Sequence, residues 1–217
     1  MVAQPSVDAD LYLEDSVEAA PKHGTTVQAG WGAADAYLDK PKAKSGNYAT
    51  NFKFSETPTL VRFLEDAPFH VYEEHWIDRT EGRRSFVSLG EDDPLTVIAG
   101  SKPRAKFAFN VLVLSDEEPE VQIMTAGITL ARQLRAANDD PRRGPLSKYF
   151  WALSRIGTGR DTQYTVERVR ATDLAEEWEL DPENVDAAIA SAVGYDKSAI
   201  YVSTREEHLE VARSLVS

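Results

Sequence analysis

The sequence predicts a mainly β protein with helical additions, and three observations support this fold class. Short runs rich in β-branched and aromatic residues, separated by turn signals, fill most of residues 59–169. One stretch of helical periodicity, residues 128–137, interrupts these runs. Signals for the starts of several helices follow after residue 170. The chain therefore reads as a β core with one inserted helix and a helical C-terminal segment.

The strands before the inserted helix are bounded by turn residues. The strongest run, residues 105–114, ends in an acidic turn and returns as residues 120–124, which predicts a hairpin. Glu65-Asp-Ala-Pro68 is a turn signal between the first two runs. The five predicted strands of this part are residues 59–64, 69–77, 83–89, 105–114 and 120–124.

Two further strands follow the inserted helix. Residues 148–156 and 162–169 are joined by a Gly-rich turn at residues 157–161. Several strands, one helix and two strands suit a small antiparallel barrel with a helix plugging one end. The five-stranded OB fold is the commonest arrangement of this kind. The pattern alone leaves a β-sandwich as the alternative.

The predicted domain organisation has three parts. Residues 1–29 are polar, acidic and aperiodic, and are predicted to form a flexible N-terminus. Residues 30–170 form the predicted OB core, with a short helix at its start over residues 30–39. Residues 171–217 form an acidic C-terminal segment, whose predicted helices are residues 171–178, 181–193 and 204–215.

The charge of the chain is unevenly distributed. The 217 residues carry a net charge of −12 and no cysteine. Residues 1–77 hold 6 Lys/Arg against 12 Asp/Glu and residues 171–217 hold 3 against 11, whereas residues 78–170 hold 15 against 13. Overall acidity argues against a nucleic-acid partner, but the clustered basic residues of the middle region favour one.

No apolar run is long enough to span a membrane, and the N-terminus has no signal-peptide pattern. We therefore expect an intracellular protein without a membrane partner.

Two stretches are weak candidates for enzymatic chemistry. Glu91-Asp-Asp93 could hold Mg²⁺ beside a phosphate, but a solvated acidic turn is the better interpretation. Residues 157–162 contain two glycines but lack the Gly-Lys-Ser/Thr ending of a phosphate loop, and they join two strands. They are predicted to be a hairpin turn, and the protein is predicted not to be an enzyme.

Binding of single-stranded nucleic acid has better support. Such binding needs cations for the backbone and flat rings for the unstacked bases. Residues 101–110 and 148–155 interleave both kinds of side chain, and Tyr164 and Arg168 share one face of the following strand. The candidate DNA-binding residues are Lys102, Arg104, Lys106, Phe107, Phe109, Tyr149, Trp151, Arg155, Tyr164 and Arg168. About half of the rings are expected to fill the barrel interior instead.

Several stretches carry a resemblance to a known family. They run in consistent order from residue 30 to about residue 169: GWGAA from residue 30, VRFLEDAPF from residue 61, HW from residue 75, GRRSFV from residue 82, KPRAKFAFNV from residue 102 and GTGRDTQYTV from residue 157. The chain resembles the single-stranded DNA-binding (helix-destabilising) proteins of tailed bacteriophages, in the branch found in phages of actinobacteria. The resemblance implies an OB core that coats single strands during replication, recombination and repair.

The resemblance also bears on residues 86–100, which look like a degenerate zinc knuckle. Family members often hold zinc with one histidine and three knuckle cysteines, and these positions correspond here to His75, Ser88, Asp93 and Thr96. One histidine and one aspartate are too few for a closed tetrahedral site. We therefore predict a loop without metal or other cofactor, stabilised by apolar contacts of Phe86, Leu95, Val97 and Ile98.

The resulting functional hypothesis is non-catalytic, sequence-independent binding of single-stranded DNA in the cytoplasm of an infected bacterial host. The acidic C-terminal segment has two alternative roles. It either only keeps the protein soluble, or it occupies the cationic surface in the absence of DNA and docks replication or recombination proteins. The alternatives to DNA binding are an OB-fold protein-interaction module of a phage replication complex and a carboxylate-dependent nuclease.

Overall fold

The computed structural model describes residues 49–115 and 118–216, with only the backbone described for Arg160. The predicted flexible segment 1–29 and the predicted helix 30–39 lie outside these residues. The described residues form one antiparallel sheet of seven strands: β1 (Thr59–Phe63), β2 (His70–Trp76), β3 (Ser85–Val87), β4 (Arg104–Val113), β5 (Glu120–Ala126), β6 (Phe150–Ile156) and β7 (Gln163–Val169). They also form five α-helices: α1 (Pro94–Val97), α2 (Ile128–Asp139), α3 (Asp173–Glu176), α4 (Pro182–Ser191) and α5 (Arg205–Val216).

The long strand β4 organises the sheet. β1 and β2 pair antiparallel with successive parts of one edge of β4, as Val61 opposite Val113 and His70 opposite Ala108 indicate. β5 pairs with residues 107–113 and therefore occupies the other edge. β3 pairs with β2, while β6 pairs with β1 and β7 with β6. The predicted strands and the predicted 105–124 hairpin are confirmed.

The sheet is open where a barrel would close, because no ladder of hydrogen bonds joins β5 to β7 among the described residues. Residues 50–55 lie along this gap. Phe52 N donates to Ile123 O of β5 at 2.9 Å, and Ile123 N donates to Thr50 O at 2.8 Å. At the far end Arg155 N of β6 donates to Ser55 O at 2.8 Å. The mainly β class is confirmed, and the described strands form an open antiparallel sheet.

Both faces of the central strands are buried. One face packs Phe63, Phe109 and Trp151 against Leu130 and Leu134 of α2. The other face packs residues of β1, β4 and β6 against the C-terminal helices, through Leu60, Leu112, Phe150, Leu174 and Val185. Burial on both faces explains the uninterrupted apolar stretches 111–113 of β4 and 150–153 of β6, since a strand with one wet face would alternate apolar and polar residues.

The C-terminal segment is built into the core. Asn110 of β4 is 1% exposed, and its Nδ2 donates to Tyr195 O and Glu65 Oε1 at 3.0 Å. Its Oδ1 accepts from Tyr195 N at 2.9 Å. A side chain at Gly194 would come within 2.6 Å of Asn110 Nδ2, so the backbone can approach only at a glycine. The segment is thus joined to the sheet by a fully satisfied polar contact.

Candidate nucleic-acid interface

A groove crosses the sheet at β2, β3 and β4, and aromatic and cationic side chains line it together. The cavity of about 440 Å³ is bounded by Tyr72, Trp76, Arg83, Lys106 and Tyr201, and we call it the aromatic groove. Strand geometry explains the clustering, because Tyr72 and Trp76 share one face of β2 and Tyr72 lies directly opposite Lys106 of β4. The C-terminal segment closes one side through residues 199–201.

The rings of the aromatic groove are accessible. Trp76 is 63% exposed and Tyr201 is 49% exposed, so each presents a face to solvent. The Arg83 guanidinium lies 4.0 Å from the Tyr201 ring centroid and its Nη1 donates to Ser203 Oγ at 3.1 Å. Arg83 therefore covers one face of the Tyr201 ring and fixes the position of the ring.

The cations of β4 reach this groove unequally. Lys106 lines it, and its Nζ lies 3.2 Å from Glu74 Oε2 of β2. Arg104 is exposed and lies opposite Glu74, and Lys102 is exposed just before β4 begins.

Burial, and next the charge of Glu74, raise the pKa of Tyr72, so its phenol stays protonated as a hydrogen-bond donor.

A second group of residues lies on β7 and the segment before β6, includes the predicted Tyr149 and Arg168, and is called the Tyr149 patch. The Tyr149 ring centroid lies 4.7 Å from the Arg168 guanidinium carbon and 5.5 Å from Lys148 Nζ. Arg168 donates to Arg142 O, and Arg143 Nη2 donates to Val166 O at 3.1 Å. The patch thus combines one ring with two cations, Lys148 and Arg168, and the Arg143 guanidinium contacts the backbone of β7.

A row of rings leads from the aromatic groove toward β7. Phe52, at the groove margin, contacts Phe54 edge to face at a centroid distance of 4.9 Å. Phe54 contacts Tyr164 in the same way at 5.0 Å. Tyr164 lies opposite Arg155, an exposed cation near the end of β6. The groove and Tyr164 are therefore linked by contiguous side chains.

Two predicted stacking residues are buried in the core, and the prediction is wrong for them. Trp151 is fully buried and its Nε1 donates to Leu146 O at 2.9 Å. Phe109 is 4% exposed and packs edge to face on Phe63 at a centroid distance of 5.8 Å. A base could reach neither ring without opening the core.

Phe107 lies apart from the β4 cations. It lines a separate cavity of about 490 Å³ between α2 and residues 66–68. Because side chains alternate along β4, Phe107 faces away from Lys106 and the aromatic groove. The structure therefore does not bring Phe107 together with the β4 cations.

The prediction from sequence omits four residues of the groove: Tyr72, Trp76, Arg83 and Tyr201. The first two could be recognised in the sequence, because Tyr72, Glu74 and Trp76 are spaced two residues apart along one predicted strand and therefore share one face. Arg83 stands out in the sequence only as part of a basic pair. Tyr201 has no local signal, because only the fold brings it beside Arg83.

The degenerate knuckle is centred on the carboxylate of Asp93. Its oxygens accept from Leu89 N and Leu95 N, each at 2.8 Å, so that Asp93 caps the four-residue helix α1. His208 Nδ1 of α5 lies 2.9 Å from Oδ1 and 3.0 Å from Oδ2, which identifies this nitrogen as a donor. His75 Nε2 lies 3.4 Å from Oδ2, and all three side chains are fully buried.

The surroundings of this cluster shift two pKa values downward. Burial alone would raise the pKa of Asp93, but hydrogen bonds from His208, Leu89 and Leu95 together outweigh it and lower the pKa. Burial lowers the pKa of His75, although the charge of Asp93 opposes the shift. A charged Asp93 beside a neutral His75 is therefore the favoured state at neutral pH.

The predicted apolar support of the knuckle is half wrong. Phe86 and Leu95 are buried with Ile77 and with Val211 and Ala212 of α5. Val97 and Ile98 are 68% and 40% exposed and provide no comparable burial. Helix α5, which the sequence did not connect with the knuckle, supplies the missing contacts.

The donors at the knuckle do not fit the zinc site that the resemblance implies. Ser88 and Thr96 offer hydroxyl groups in place of thiolates, and the oxygens of Asp93 already accept from two backbone N–H groups and face two imidazoles. Across residues 49–115 and 118–216, no cluster of three or more His, Asp or Glu side chains could hold a metal ion.

The two weak candidates for enzymatic chemistry, residues 91–93 and residues 157–162, do not form a site in the structure. Glu91 and Asp92 are exposed while Asp93 is buried beneath them, so the three carboxylates do not converge. Residues 157–162 form the predicted hairpin turn between β6 and β7. Gly157 has a φ of +78°, and a Cβ there would lie 2.5 Å from Asp161 O.

No protein-family model, curated protein or solved structure matches this chain. In the part that the structure describes, every helix is too short or too polar to cross a membrane. The aromatic groove, the Tyr149 patch and the ring contacts between them are thus the features on which a functional assignment rests.

Proposed function

We propose that the protein binds single-stranded DNA without catalysis and without reading its sequence. The observation that carries the proposal is the aromatic groove, where the exposed rings of Trp76 and Tyr201 lie beside Arg83 and Lys106. Flat rings accept any unstacked base and cations attract the backbone, so this combination favours single strands of any sequence. A duplex hides its base faces and could not use the rings.

The proposed scaffold is an OB barrel of five strands. In this interpretation β1 and β2 together act as the first strand, because they share one edge of β4. β4 and β5 are the second and third strands, α2 follows, and β6 and β7 complete the order. Residues 50–55 then lie along the gap between β5 and β7, and their hydrogen bonds to Ile123 of β5 and Arg155 of β6 support this closure.

The proposed path of the strand runs from the aromatic groove, past Tyr164, to the Tyr149 patch. Lys102, Arg104, Lys106, Arg155 and Arg168 contact phosphates, and Tyr149 and Tyr164 add ring contacts. Four residues of the aromatic groove are added to this set: Tyr72, Trp76, Arg83 and Tyr201. Three residues of the original prediction are removed from it: Phe107, Phe109 and Trp151.

The proposed setting is phage DNA replication, recombination and repair in the cytoplasm of the bacterial host. Because residues 199–201 form a wall of the groove, the C-terminal segment contributes to the DNA site instead of competing for it. Its exposed carboxylates are proposed to dock replication or recombination proteins.

The direct test is titration of a fluorescent oligothymidylate by anisotropy at low and high salt. We expect binding that weakens steeply with salt, because phosphate contacts release counterions. Replacing Lys102, Arg104 and Lys106 together with Gln should flatten the logarithmic salt slope by up to roughly 0.7 for each phosphate that is no longer neutralised.

Replacing Arg132, Arg135 and Arg213 with Gln is the matched control, since it removes three cations from exposed positions outside the aromatic groove and outside the proposed path. Binding that is absent at low salt would overturn the proposal, as would a triple variant with the same affinity as the wild type.

A further inference from the structure

We propose that Glu74 is an internal competitor for the DNA backbone, so that a bound phosphate must displace its carboxylate from Lys106. This inference rests on the proposed function and concerns the same groove. It assigns a role to an acidic residue that lies where an anionic ligand would bind.

The placement of Glu74 is the first observation. Glu74 shares one face of β2 with Tyr72 and Trp76, and it lies opposite Arg104 in the register of β2 and β4. Of the described residues that line the aromatic groove, Glu74 alone is acidic. A single carboxylate therefore stands among the rings and cations that would contact the strand.

The contact with Lys106 is the second observation. Lys106 Nζ lies 3.2 Å from Glu74 Oε2, and the two side chains are 30% and 14% exposed. A phosphate oxygen would seek the same ammonium group and the same space. The Glu74 carboxylate and a phosphate cannot both bind Lys106 closely, because the repulsion between the two anions is only partly screened at this depth.

The position of Glu74 next to Tyr72 on one face of β2 brings its charge inside the groove. Burial, and then the charge of Glu74, raise the pKa of the Tyr72 phenol. A carboxylate that acts on a neighbouring phenol also acts on a phosphate that enters the same space. Glu74 therefore cancels one of the two positive charges that line the empty groove and lowers its affinity for polyanions.

The test compares Glu74→Gln with Glu73→Gln by titration of the same oligothymidylate. Glu73 is an exposed neighbour on the opposite face of β2, so each variant removes one negative charge from β2. We expect Glu74→Gln to bind about threefold to tenfold more tightly, since an anion about 6 Å from a phosphate is removed. Its salt slope should steepen by roughly 0.7, because Lys106 becomes a full phosphate contact.

Two further arms isolate the mechanism. In a Lys106→Gln background, Glu74→Gln should gain less affinity than in the wild type, because the cation it would free is gone. A thymine peptide nucleic acid of equal length presents the same bases on an uncharged backbone. Its affinity should be the same for Glu74→Gln and the wild type.

Each outcome separates the inference from the function on which it rests. Wild-type protein that fails to bind oligothymidylate overturns both. Wild-type binding with equal affinity of Glu74→Gln and Glu73→Gln overturns the role of Glu74 and leaves DNA binding in place. An equal gain for the peptide nucleic acid also overturns it, since the effect would not involve phosphate.

Discussion

Two carboxylates of this protein lie beside basic side chains, one in a partly exposed position and one in a fully buried position. Glu74 meets Lys106 at the margin of the aromatic groove, where both side chains keep some contact with water. Asp93 meets His208 and His75 in the knuckle, where all three are fully buried. The partly exposed pair can exchange partners with a ligand. The buried group cannot, so its contacts fix the fold, and accessibility decides which role a carboxylate has.

The largest expected effect is on stability, from Asp93→Ala. This change leaves Leu89 N, Leu95 N and His208 Nδ1 without an acceptor and removes the cap of α1. We expect the free energy of unfolding to fall by about 3–5 kcal/mol, as for a broken buried pair. Urea unfolding followed by circular dichroism measures it.

Asp92→Ala is the matched control for this prediction. Asp92 is adjacent and exposed, and its backbone oxygen, which the substitution keeps, accepts from Arg205 Nη1 at 2.8 Å. Removing its side chain should cost within roughly 0.5 kcal/mol. Where Asp93→Ala does not fold, Asp93→Asn, which keeps one acceptor oxygen, provides the measurement. Equal stability of the Asp93 and Asp92 variants would contradict a structural role for the knuckle carboxylate.

The next effect is on binding, from Trp76→Ala in the groove. A stacked base is worth roughly 1–3 kcal/mol, so the affinity for oligothymidylate should fall about fivefold to 150-fold. The free energy of unfolding should change by less than about 0.5 kcal/mol, because the ring is 63% exposed. Val97→Ala, at a site 68% exposed on α1, is the control for loss of exposed apolar surface. Wild-type affinity in Trp76→Ala would remove the groove from the DNA site.

Trp76 and Trp151 also show what the sequence could and could not predict about the site. Both are tryptophans in β-rich runs near cations. The run Phe150-Trp-Ala-Leu153 is continuously apolar, which is typical of a strand covered on both faces. The run around Trp76 is interrupted by Glu73, Glu74 and His75, and adjacent carboxylates are typical of a strand that is not covered on both faces. This difference distinguishes core from surface, and it outweighs the nearness of a cation in sequence.

The strands, and the helices other than α1, were predictable because their patterns are local. Strands β1 to β7 match the predicted runs to within two residues at either end, and the capping box that opens α5 is visible at Thr204 and Glu207. Contacts between distant segments were not predictable. His208 lies 115 residues from Asp93, and Tyr201 reaches Arg83 only after the C-terminal segment has packed on the sheet. No periodicity connects such residues, so the centre of the knuckle and one wall of the groove appear only in the fold.

The smallest expected effect, on the pH dependence of stability, also distinguishes the buried cluster from the groove. The folded state lowers the pKa of His75, chiefly through burial, below its ordinary value of 6.5. It also lowers the pKa of Asp93 below its ordinary value of 3.8, where hydrogen bonds outweigh burial. For both groups the stabilisation is present above the ordinary pKa and is lost as pH falls toward the folded one. Urea midpoints should therefore decline from about pH 6.5 downward through His75, with a further decline through Asp93 in stronger acid.

His75→Gln should flatten the upper part of this decline, whereas His70→Gln, on the same strand but outside the cluster, should retain it. A decline of equal size in His75→Gln and the wild type would mean that the knuckle tolerates a charged His75, and the contrast with the groove would then rest on Asp93 alone.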